Sequence, residues 1–143
     1  MTSRFSLLLL AGTLFFGAPR SAPAQSPANA SDAWATHFPN QVRTLLESPT
    51  PEVQDNGMQL ILHYAQRDAA IDFAPAVPAL FDVYDHAEHE GRRLLALRAI
   101  DAVGTEVHMR RLAQRLDTEL SDRVRNHTLR TLAARNPDSN PDT

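Results

Sequence analysis

The chain has no cysteine among its 143 residues. That excludes a disulfide scaffold, a thiolate zinc site and a cysteine nucleophile, and it leaves no thiol to carry a lipid. Lysine is absent too. All fourteen basic residues are arginine, which reads as a bias of genome composition rather than as function. Glycine is sparse, with five residues and no Gly-rich phosphate loop. Neither G-x-S-x-G nor S-x-x-K occurs, and no serine stands beside a plausible base. These gaps point away from catalysis, so the expectation is a protein that is not an enzyme and needs no cofactor.

The first residues read as an export signal. Arg4 supplies a short basic start, Phe5 to Ala18 is apolar, and Ala22-Pro23-Ala24 offers a small-residue cleavage site. The apolar run is too short to cross about 30 Å of hydrocarbon. The expectation is therefore a signal peptide over 1–24, removed on export to a periplasm or beyond, with no integral membrane segment left. Nucleic acid has no role in such a compartment. Residues 25–36 read as a linker rich in Pro, Ala, Ser and Asn. Residues 136–143, "NPDSNPDT", read as a disordered tail.

Charge is unevenly spread. Gln25 to Glu90 holds ten acids and two arginines, whereas Gly91 to Thr143 holds ten arginines and seven acids. Acidic first half and basic second half mark a surface able to steer a charged partner.

Between 37 and 135 the apolar residues recur at helical spacing, and nothing alternates like a strand for long. The pattern predicts six helices, at about 39–47, 51–66, 75–85, 90–103, 105–117 and 121–135. Thr50-Pro51-Glu52 supplies a cap, a proline at the first helical position and an acid in the first turn. Gly104 is expected to stop a helix in a left-handed conformation.

The segments also repeat. A shift of 32 residues sets Val77 on Met109, Leu80 on Leu112, Tyr84 on Leu116, Leu97 on Leu129 and Arg98 on Arg130. An earlier copy fits with offsets of 35 and 39 residues, the extra length falling in "AQRDAAIDF". A repeat of this length is one helical hairpin that cannot bury its apolar stripe alone. The register predicts Leu80 and Leu112 in the core, and like surroundings for Leu97 and Leu129.

"DRVRNHTLRTLAA" (122–134) resembles the outer helix of bacterial HEAT-like repeats of the phycobilisome-lyase type. "FAPAVPALFDVYD" (73–85) resembles their inner helix, and "AIDAVGTEVHMRRL" (99–112) the turn between outer and inner helices. The resemblance covers about residues 39–135. Gln54 stands where the family usually has arginine, and Arg92 holds the position of Val53 and Val124. The resemblance implies an all-α fold, a short right-handed α-solenoid of about three hairpins; the alternative is a compact helical bundle.

Two stretches are candidate sites. In such a stack the inner helices line the concave side, which here would present Asp82, then Arg110, Arg111, Gln114 and Arg115. The expected role is a docking strip for a protein partner, arginine being suited to binding carboxylates and stacking on aromatics. Reversing Arg111 and Arg115 to Glu is expected to weaken binding and leave folding unchanged. The second stretch is "DHAEHE" (85–90). His86 and His89 with neighbouring acids give an alternative reading as a metal- or ligand-binding site. The register aligns it with "DTELSD" (117–122), which favours a polar loop at a helix start.

Overall fold

A computed structural model of the chain describes residues 27–135, with side chains described from Trp34 onward. The segment read as a signal peptide and the tail from 136 lie outside those residues. The described chain is all-helical. Six α-helices follow one another: α1 (Pro27–Leu46), α2 (Pro51–Tyr64), α3 (Val77–His86), α4 (Glu90–Val103), α5 (Glu106–Ala113) and α6 (Asp122–Arg135). Single 3₁₀ turns precede α3 (Ala74–Ala76) and follow α5 (Leu116–Thr118).

Each start has a local cause. Pro51 sits in the first turn of α2, where its missing N–H costs nothing, and Thr50 before it is extended (φ −92°, ψ 116°). His89 and Ser121 both precede their helices, as the register predicts. Only Ser121 caps through its side chain, its Oγ accepting from the Val124 N–H at 3.2 Å. At α5 the Thr105 N–H donates to His108 Nδ1 at 3.0 Å, so His108 serves the helix start.

Three expectations change. The stretch read as a linker is helical from Pro27, and α1 runs through Pro39 instead of starting there. Pro27 is well placed for a first turn, and the alanines that follow are the best helix formers. The helix predicted over 105–117 ends at Ala113 and tightens into the 3₁₀ turn. Gly104 is not left-handed (φ −74°, ψ 146°). Its missing Cβ matters for space: a Cβ there would lie 2.4 Å from the Ile100 carbonyl oxygen and 2.8 Å from Met109 Cε.

The helices pack first as sequence neighbours, α1 on α2, α3 on α4 and α5 on α6. The even-numbered helices also touch in order, α2 on α4 and α4 on α6, and α1 touches α3. Helix α4 therefore has neighbours on three sides, and its sequence suits that position. Ala96, Leu97, Ala99 and Ile100 are all buried, the two alanines allowing close approach. One core cluster runs through the whole, from Phe38 and Val42 through Met58, Ile61, Leu80, Phe81 and Ile100 to Leu112 and Val124.

Leu80 and Leu112 are fully buried, as the register predicts. Leu97 and Leu129 differ, at 2% and 46% exposed. Helix α4 has α6 against it, whereas no described helix follows α6. At the other end Trp34 stacks on Phe38 (centroids 4.6 Å apart) and meets Tyr64 edge-on, covering the start of the core while staying 41% exposed. No described helix is long and apolar enough to cross a membrane.

The two departures from the repeat pattern touch each other. Arg92, in the place of a valine, donates to Gln54 Oε1 at 2.5 Å and to Asp55 Oδ1 at 2.8 Å. It thereby ties the start of α4 to the start of α2.

Candidate functional site

Of the strip read from the sequence, Asp82, Arg110, Arg111 and Gln114 are exposed and Arg115 is half-buried. Their surroundings differ. The Arg115 guanidinium forms a two-point bond with Asp85, Nε to Oδ1 at 2.5 Å and Nη2 to Oδ2 at 2.6 Å. That pair joins the segment after α5 to the C-terminal end of α3. The carboxylate partner raises the Arg115 pKa further above its already high ordinary value. Arg111 lies over the Phe81 ring, its Cζ 4.1 Å from the centroid, with Arg115 at 5.0 Å on the same ring. Arg110 makes no side-chain hydrogen bond or ion pair with the described residues. So Arg115 is a clamp between helices, and the expectation that its reversal spares folding is corrected. A bidentate carboxylate partner is lost with it.

Beside that clamp lies a pocket of about 410 Å³, walled by Tyr84, Asp85, Arg93, Arg115 and Glu119. Its charges are already paired. Glu119, 4% exposed, binds Arg93 through Oε2 and accepts the Ser121 N–H at 2.8 Å through Oε1. Arg93 Nε donates to the Tyr84 carbonyl at 2.9 Å. Arg125 donates to the Glu119 carbonyl. The Thr128 hydroxyl gives its proton to the Val124 carbonyl at 3.0 Å, so the Tyr84 hydroxyl donates to Thr128 Oγ1 at 2.9 Å. Burial pushes the Tyr84 pKa up. Among the described residues no buried side-chain polar atom lacks a partner. Such a set holds helices together; it offers no free base and no poised nucleophile.

The histidine alternative falls on a second hollow of about 580 Å³, walled by Asp55, Asp82, His86, Glu88, His89 and Arg92. His86 Nδ1 lies 3.1 Å from Asp82 Oδ1, on one exposed turn of α3. No three His, Asp or Glu side chains among the described residues converge as metal ligands. The loop does follow the repeat register. Glu90 accepts the Ser121 hydroxyl at 2.5 Å, so the acid that starts one helix meets the residue that caps the next in line.

Sequence reading missed Glu119, His108 and Arg93. Each gets its role from a partner that no local motif announces. Arg98 and Arg130 share one position of the repeat register. Both are exposed, and neither side chain bonds a described residue.

No protein-family model, curated protein or solved structure matches this chain.

Proposed function

We propose that the chain is an exported, non-enzymatic interaction module, a short right-handed stack of three HEAT-like hairpins that docks a protein partner on its charged inner-helix face. Two rows of touching helices support the stack reading: α2, α4 and α6 in one, α1 and α3 in the other. The observation that carries the docking reading is Arg111. Its guanidinium carbon lies over the Phe81 ring, 4.1 Å from the centroid, yet it has no carboxylate within the described chain. A planar fork already oriented by an aromatic face loses less freedom on meeting a partner's carboxylate than a mobile one. Arg110 and Gln114 flank it, and the Arg115–Asp85 clamp fixes the segment that follows.

The test is crosslinked capture from an extract of the exported compartment, comparing the protein with an Arg110→Ser/Arg111→Ser variant. The proposal predicts a specific bound protein that is lost with the variant and on raising salt. Identical capture by both proteins, with the variant folded, would overturn it.

A further inference from the structure

The outer side of the molecule carries charges of a different kind. Between α4 and α6 runs an open groove of about 340 Å³. Leu94, Leu95 and Leu97 give it an apolar floor, and Arg98 and Arg123 stand on its walls. Neither arginine side chain makes a hydrogen bond or ion pair with a described residue. No acid lines the groove. The nearby acids in sequence are committed: Asp101 to Arg135 at 2.9 Å, Asp122 to Arg125 at 2.8 Å, Glu90 to Ser121. An apolar floor between cations that nothing neutralises is complementary to one kind of chemistry, an apolar side chain flanked by carboxylates.

We infer that the groove between α4 and α6 is a second docking site, which seats an acidic, leucine-bearing segment of a partner protein. The leucine covers Leu94 and Leu95, and its flanking carboxylates meet Arg98 and Arg123 in the two-point geometry that arginine favours. The groove is open along one side, which suits a stretch of chain laid across it rather than a small molecule enclosed by it. Gly91, at the groove's end, leaves room: a Cβ added there meets nothing within 4 Å. This site lies on the even-numbered helices and is independent of the inner-helix strip.

The test uses a labelled synthetic peptide in which leucines are flanked by aspartate and glutamate, titrated by fluorescence anisotropy onto the full protein. Three controls accompany it: the same peptide with amides for acids, the same with serine for leucine, and phosphatidylglycerol vesicles. Two variants report on the groove. Arg98→Ser/Arg123→Ser removes the cations. Gly91→Glu sets a carboxylate at the groove mouth in the first turn of α4, where a helix accepts it readily. The inference predicts binding of the acidic leucine peptide, at least tenfold weaker with either variant and with either control peptide. It also predicts binding unchanged in Arg110→Ser/Arg111→Ser. No binding, equal binding by all variants, loss only on changing Arg110 and Arg111, or binding to vesicles alone would each overturn it. Because the groove variants sit on α4 and α6 and the Arg110/Arg111 variant on α5, the groove can fail while the inner strip stands, and the reverse.

Discussion

Leu97 and Leu129 are thirty-two residues apart on successive even-numbered helices, and the helix that carries the second packs against the helix that carries the first. Leu97 is 2% exposed at the floor of the groove between α4 and α6, while Leu129, with no described helix beyond it, is 46% exposed. The burial of a residue in such a row depends on whether another helix follows. Truncating Leu97 to Ala should therefore cost about 2–4 kcal/mol, a buried cavity with little room to collapse. Leu129→Ala should change stability by less than about 0.5 kcal/mol, as a surface substitution does. Urea unfolding of the two variants checks this, and equal losses would contradict it.

The Asp85–Arg115 pair is a clamp, so its two ends should be energetically coupled. Arg115→Ala should cost about 1–3 kcal/mol, the range for a charged hydrogen bond at a half-buried site. A double-mutant cycle with Asp85→Ala should return a coupling of about 1–2 kcal/mol. Removing Arg110 in the same way should do almost nothing to unfolding. A coupling near zero would place Arg115 back among the free charges of the surface.

Tyr84 makes the stability sensitive to alkali. Burial disfavours its phenolate, so its folded pKa lies above the ordinary value near 10. A group with a raised folded pKa contributes fully below the unfolded value. Its contribution is lost as pH rises through the folded one. Stability should hold up to about pH 10 and fall above it, and the late phase of a phenolate absorbance titration should vanish in Tyr84→Phe. A titration whose late phase survives that change would show that Tyr84 is not the late group.

The glycines at the two ends of α4, Gly91 in its first turn and Gly104 just after it, should respond in opposite directions. Gly104→Ala forces a Cβ against the Ile100 carbonyl and should cost about 1–3 kcal/mol, as overpacking does. Gly91→Ala meets open space and should stabilise by up to about 1 kcal/mol by stiffening the unfolded chain. Differential scanning calorimetry decides both, and a neutral Gly104→Ala would remove the close-approach account of that turn.

Helix α4 was legible to the residue, because a polar cap position precedes Glu90 and a glycine follows Val103. The burial of Leu80 and Leu112 was legible from the repeat. The exposure of Leu129 was not, since a register says which residues correspond and not where the row ends. Glu119 was missed for another reason. In "DTELSD" it reads as one more solvated acid, and its burial follows from Arg93, 26 residues earlier in the chain. For the same reason spacing alone could not tell Arg115, tied to Asp85, from Arg110, four residues before Gln114 and tied to nothing described.

What decides between a fold held by some arginines and a surface built from others is a comparison at equal charge. Arg93→Ser/Arg115→Ser and Arg98→Ser/Arg123→Ser each remove two positive charges, and their urea midpoints can be measured side by side. The first pair should lose several kcal/mol, on the order of 3–6, because Glu119 and Asp85 each lose the arginine that balances their charge. The second should stay within about 0.5 kcal/mol of the parent. Equal losses in the two variants would contradict the division on which both docking surfaces rest.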